Sequence, residues 1–213
     1  MASDPIPPPI SDYLDSLVPG RFPELEAMEA EARRTGFPII GPASGHFCYL
    51  VARLIGARSI FELGSGFGYS TAWFARAVLE NGGGTVYHTV WDQGLSDKAR
   101  RHLRVLGLDH LIEFRVSEAV RALTEAHGPF DLIFCDIDKA GYPGALSAIE
   151  AKLRPGGVLI ADNLLWHGRI FDASDQSEET AGIREFTRRT TTGEAWTTSL
   201  VPIRDGLLVA QRR

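Results

Sequence analysis

Short apolar runs bounded by glycine, proline or polar residues alternate with longer stretches of helical period along most of this chain. Ile60, Phe61 and Leu63 form the first such run, of the kind a strand buried on both faces needs. Thr85–Trp91, His110–Val116, Phe130–Cys135 and Gly156–Ala161 are further strand-like runs, several rich in β-branched and aromatic residues. Between them the pattern predicts helices over Trp73–Leu79, with Ser70 and Thr71 as N-cap residues, and over Ser96–Leu106, Ser117–Ala126 and Gly144–Leu153. Strand–helix alternation with short links predicts an α/β fold, a doubly wound parallel sheet with helices on both faces. The end breaks the rhythm. Trp196–Ile203 and Leu207–Gln211 flank Arg204-Asp205-Gly206, and Asp-Gly between two strands signals a hairpin, so the last of about seven strands is expected to run antiparallel.

The N-terminal part reads differently. Residues 1–10 carry four prolines and are expected to form an extended arm. Ser11–Val18 and Phe22–Arg34 read as helices separated by Pro19-Gly20, residues 35–42 as a loop, and Gly45–Ile55 as a helix leading into the first strand. No internal repeat or second boundary appears, so the chain is expected to be one domain over 1–213. Its parts are the arm at 1–10, helices and loop at 11–57, and a Rossmann-like core at 58–213.

Composition narrows the function more than the fold. The 213 residues are 44% hydrophobic and 23% charged, ordinary for a globular protein able to bury a full core. A net charge of −5, with arginine pairs scattered at 33–34, 100–101, 188–189 and 212–213, argues against nucleic acid as a partner. No apolar run approaches the roughly 20 residues that span a bilayer, and the start lacks a secretion signal. Two cysteines, Cys48 and Cys135, give no disulfide framework. The expectation is a cytoplasmic protein.

Candidate chemistry lies at the carboxyl ends of the strands, where open α/β sheets bind ligands. After the first strand comes Glu62-Leu63-Gly64-Ser65-Gly66-Phe67-Gly68, a glycine turn through which backbone N–H groups and a ligand can approach closely. Glu62 would repel a phosphate, and the spacing departs from the dinucleotide fingerprint Gly-x-Gly-x-x-Gly. The turn resembles motif I of the class I methyltransferases that use S-adenosylmethionine (SAM). Further strand ends carry Trp91-Asp92, Ser117-Glu118, Asp136-Ile137-Asp138-Lys139 and Asp162-Asn163. Three acids and an amide on two adjacent strand tips suit a hard divalent cation, Mg²⁺ or a neighbour such as Mn²⁺ or Ca²⁺. The plain alternative is that Asp162-Asn163 caps a helix. Histidines 46, 88, 102, 110 and 127 form no H-x-x-x-H pair, which argues against zinc.

Phe130-Asp131-Leu132-Ile133-Phe134-Cys135-Asp136-Ile137-Asp138-Lys139 with Tyr142 resembles a signature segment of the cation-dependent O-methyltransferases, the family of catechol and caffeoyl-CoA O-methyltransferases. Gly156-Gly157-Val158, then Asp162-Asn163-Leu164-Leu165-Trp166-His167-Gly168, is similar to a second, and Pro202 with Asp205-Gly206 to the tail. The resemblance runs from about Pro38 to the C-terminus. It implies Asp136, Asp162 and Asn163 as metal ligands, Lys139 as general base beside Asp136, and Trp166 and His167 at the acceptor. It also implies Glu62, Gly64, Ser65 and Ser70 at the methionine end of SAM, with backbone near Ile40 and Asp138 close by, and Ala119 beside the adenine. Where the family carries a ribose-binding acid this chain has Val90; Asp92, two residues on, is the candidate substitute, and Trp91 can cover the adenine. The implied acceptor is a small catechol-like or other vicinal-diol aromatic. The acidic segment 168–182 is unlike the plant insertion and argues against a CoA thioester. A homodimer is also implied. Two competing functions remain open on sequence alone: a nicotinamide oxidoreductase, opposed by the glycine spacing, and a metal-independent or non-catalytic SAM-binding protein, suggested by Val90.

Overall fold

The structure is a computed structural model, and it describes residues 5–213. Seven strands form one sheet: β1 (Ser59–Leu63), β2 (Thr85–Val90), β3 (Ile112–Val116), β4 (Phe130–Cys135), β5 (Leu153–Ala161), β6 (Trp196–Val201) and β7 (Leu207–Arg212). Their order is β3-β2-β1-β4-β5-β7-β6. Pairs among the first five strands are parallel, and β7 runs antiparallel to both β5 and β6. The expected doubly wound sheet with a reversed last strand is therefore present.

Alternation along the central strands sorts the core into two layers. Ile60, Leu132, Phe134, Val158 and Ile160 face one layer. There they meet α2 (Pro23–Thr35), α3 (Gly41–Leu54), α4 (Tyr69–Glu80) and α5 (Gln93–Val105). Phe61, Leu63, Ile133, Cys135, Leu159 and Ala161 face the other, against α6 (Ala119–Glu125), α7 (Tyr142–Lys152) and α8 (Glu178–Thr192). Burial on both sides is why these strands read as continuous apolar runs. Trp73 and Trp196 are both buried, and Cys135 is a buried strand residue whose thiol burial pushes up to about 12.

Several boundaries differ from expectation for local reasons. Helix α1 (Pro8–Ser16) begins inside the proline-rich arm, because proline lacks only an N–H that the first helical turn leaves unpaired anyway; residues 1–4 of the arm lie outside the described residues. Gly41-Pro42 likewise starts α3 four residues earlier than the pattern suggests. Ser70 and Thr71 do not cap α4: its N-cap is Gly68, in left-handed conformation, and both hydroxyls lie buried inside the first turn. The largest omission is α8. Its polar, threonine-rich composition and the internal Gly182 weaken the helical signal, and residues 168–182 read as loop although the helix begins at Glu178. Gly182 is required by packing, since a Cβ there would strike the backbone carbonyl of Lys139. None of the described helices is long and apolar enough to cross a membrane.

Candidate functional site

A cavity of about 920 Å³ opens at the carboxyl ends of β1, β2, β4 and β5. The glycine turn after β1 forms one wall. Gly64, at φ 88°, passes so close to β4 that a Cβ would collide with the carbonyl of Asp136, and Gly66 lies under the ring of Phe37. The cavity is lined by Ile40, Gly64, Ser65, Ser70, Ala119, Asp136, Asp138, Lys139, Asn163, Trp166 and His167, so most of the residues singled out from sequence converge there.

Glu62 lies one layer beneath, wholly buried. Ser70 Oγ donates to its Oε1 at 2.5 Å and Thr71 Oγ1 donates to Oε2 at 2.5 Å. Burial pushes its carboxyl up from 4.5 to about 7, against the pull of the hydroxyls of Ser70, Thr71 and Ser65. The two residues expected to cap α4 instead satisfy this carboxyl.

Asp92 does not reach the cavity. Its Oδ1 accepts from the Leu95 N–H at 2.7 Å and caps α5, a demand of the helix N-terminus that competes directly with ligand binding. Glu118 is committed in the same way, accepting from the N–H groups of Val120 and Arg121 at the start of α6. Val90 and Trp91 line the cavity between them, and the Trp91 side chain stands largely in solvent, 84% exposed.

On the opposite wall the tips of β4 and β5 bring the acids together, through Asp136 N–H to the Leu63 carbonyl at 2.8 Å and Asp162 N–H to the Cys135 carbonyl at 3.1 Å. Lys139 pairs with Asp136, not with its neighbour Asp138: Nζ donates to Asp136 Oδ1 at 2.6 Å, to the Ile137 carbonyl at 3.1 Å and to the Tyr142 hydroxyl at 3.0 Å. Asp162 is fully buried, and its Oδ1 has no hydrogen-bond partner. Burial raises its carboxyl to about 6, opposed by the charge of Arg204, whose Nη2 donates to the other oxygen, Oδ2. Asn163 Nδ2 donates to Asp205 Oδ2 at 3.0 Å, which leaves the lone pairs of the amide oxygen free. No helix starts at Asp162-Asn163, so capping does not account for these two residues.

Two residues important here are not legible as such in the sequence. Asp205, 1% exposed, accepts from both Asn163 Nδ2 and the His167 N–H and so ties the loop after β5 to the β6–β7 hairpin. Arg204 extends its side chain into the cavity wall. Arg204 sits in a segment that reads as a turn, and Asp205 belongs to the tail resemblance without a role being assigned to it there. Asn163, Trp166, His167 and Arg204 are also the non-glycine positions with positive φ among the described residues, and all four line the cavity. Backbone strain gathered at one site marks a place where geometry is held for function.

Among the described residues no three histidine, cysteine, aspartate or glutamate side chains converge as a metal cluster; the donors the sequence points to are two carboxylates and one carboxamide, of which Asp136 and Asn163 line the cavity and Asp162 lies behind them. That donor chemistry, with the buried, unpartnered Asp162 Oδ1, fits a hard divalent cation.

A protein-family model described as O-methyltransferase matches residues 23–213. A catechol O-methyltransferase of Niastella koreensis is 30% identical over 183 residues, covering 83% of this chain and 82% of that protein. One from Mycobacterium tuberculosis is 33% identical over 187 residues, covering 86% and 84%. The crystal structure of an O-methyltransferase from Bacillus cereus in complex with SAH, the demethylated product of SAM, superposes with a TM-score of 0.86 at 27% identity, covering 96% of this chain and 97% of that one. With the match reaching from α2 to the C-terminus and relatives aligned along most of their own length, the chain belongs to the O-methyltransferase family and is a methyltransferase enzyme.

Proposed function

We propose that the protein moves the methyl group of SAM to a hydroxyl of a small aromatic vicinal diol of the catechol type, with a divalent cation, Mg²⁺ first, held by Asp136, Asp162 and Asn163. The observation that carries the metal part is the buried Asp162 Oδ1, unpartnered beside an Asn163 amide whose nitrogen is already committed to Asp205. A buried carboxylate oxygen without a donor is costly unless something positive completes it. When bound, the ion supplies positive charge that makes an acceptor hydroxyl more acidic.

The chain's own residues do the rest. Ser65, Ser70 and the backbone near Ile40 line the part of the cavity assigned to the methionine end of SAM, with Glu62 behind them, and Ala119 and Trp91 flank the part assigned to its adenine. Lys139 is placed to take the hydroxyl proton. Asp136, the Ile137 carbonyl and the Tyr142 hydroxyl hold its Nζ at the cavity wall. The acceptor oxygen then attacks the sulfonium methyl in line; the O–C bond forms, the C–S bond breaks and SAH leaves. Trp166 and His167 line the acceptor side, and the walls contribute mainly by holding the two reactants in that geometry. The family's homodimer is part of the same reading.

A second reading, metal-independent transfer, is favoured by the Arg204–Asp162 ion pair. One assay separates them: transfer from labelled SAM to a panel of vicinal diphenols, by chelator-stripped protein with and without added Mg²⁺. Transfer that appears only with Mg²⁺ is expected; transfer indifferent to chelator decides for the second reading, and no transfer to any diphenol removes the acceptor class.

A further inference from the structure

Arg204 stands where the β6–β7 hairpin meets the cavity, at φ 51°, a left-handed backbone position that favours glycine. Its guanidinium is bonded to Asp162 Oδ2, and its Nε is buried with no partner. Burial opposes its positive charge, and Asp162, Asp136 and Asp205 together outweigh that and reinforce it. The guanidinium therefore lies within the field of both carboxylates assigned to the ion. Lys139 neutralises Asp136 from the other side.

Charge bookkeeping shows the consequence. With no acceptor bound, three carboxylates face two basic side chains, Lys139 and Arg204, which leaves one net negative charge around the donor set. A dication added with Arg204 in place reverses that sign inside a largely buried wall, where like charges repel strongly. Without Arg204 the same dication meets two net negative charges and cancels them. Arg204 and the ion also address the same carboxylate.

We propose that Arg204 is a resident competitor for the divalent cation at Asp162 and sets how weakly the site takes metal. This rests on the metal-holding reading above, and its test reads binding, not turnover. Mn²⁺ and, separately, Mg²⁺ are titrated calorimetrically at pH 8 into the SAH-saturated protein: parent, Arg204→Gln, Arg204→Gly, Arg204→Lys and Asp162→Asn. Glycine suits the backbone conformation, so it guards against a glutamine variant that fails to fold; melting without metal checks both. Expected is affinity raised by about tenfold or more in Arg204→Gln and Arg204→Gly, affinity near the parent's in Arg204→Lys, and loss in Asp162→Asn. Parent binding that is measurable, lost in Asp162→Asn and left unchanged or weakened in both neutral variants overturns the role of Arg204 while keeping the metal site. Absence of binding in the parent and in both neutral variants overturns the metal site itself, and the competition with it.

Discussion

Replacing Glu62 by glutamine tests the most perturbed acid of the site. The carboxyl has no exposed surface and accepts from two hydroxyls at 2.5 Å each. A glutamine amide keeps an acceptor for one hydroxyl and offers a donor to the other. Burial moves the carboxyl from 4.5 to about 7, and at about 1.4 kcal/mol for each tenfold in proton affinity this amounts to about 3 kcal/mol. The folded pKa is raised, so between pH 4.5 and about 7 the folded protein keeps a proton that the unfolded chain has lost. Stability from this group therefore falls as pH rises through that window; the penalty is absent below it and complete above it. Urea unfolding of parent and Glu62→Gln at about pH 4.5, 6 and 8 is expected to show the variant gaining about 3 kcal/mol on the parent from the lowest pH to the highest. A difference between the two proteins that stays constant with pH refutes the argument. A second readout is available: if the cationic methionine end of SAH docks above Glu62, binding near pH 6 releases a proton in the parent and none in the variant, measured by calorimetry in buffers of different ionisation enthalpy.

Three further outcomes follow from the same geometry. Gly64→Ala drives a Cβ into the carbonyl of Asp136 from a positive-φ position, and is expected to cost about 1–3 kcal/mol by urea unfolding and to weaken SAH binding. Lys139→Met is expected to lower the methyl-transfer rate by about 10²–10⁴-fold while SAH affinity holds, since Nζ bonds only to Asp136, Ile137 and Tyr142; an unchanged rate would remove Lys139 from the chemistry. Arg184 gathers the carbonyls of Arg169, Ile170, Asp172 and Asp175, so Arg184→Ala should destabilise by about 1–3 kcal/mol and open residues 169–177 to limited proteolysis, with parent-like cleavage as the contrary result.

What could be read along the chain was whatever depends on near neighbours. The apolar run 60–63, the glycines after it and the strand–helix alternation are local patterns, and they led to the right sheet, the reversed β7 and the β1–α4 turn. Residue type alone could not assign Ser70 and Thr71, since the hydroxyls that suit a helix cap also suit a buried carboxyl, and only the position of Glu62 beneath them decides. Asp92 stands outside the cavity lining for the opposite reason: the start of α5 claims its Oδ1. Helix α8 was missed because its glycine answers to the Lys139 backbone, a contact made across the fold.

The sequence by itself determined the periodicities, and with them the elements, the two-sided burial of the sheet and the strand ends where polar residues collect. The tertiary structure alone decided which of those polar groups meet. Arg204 reaches Asp162, and Asp205 orients Asn163, each across 42 residues of chain. Local pattern sets which face a side chain takes; pairing across such separations depends on strand order and register, which no short window of residues contains.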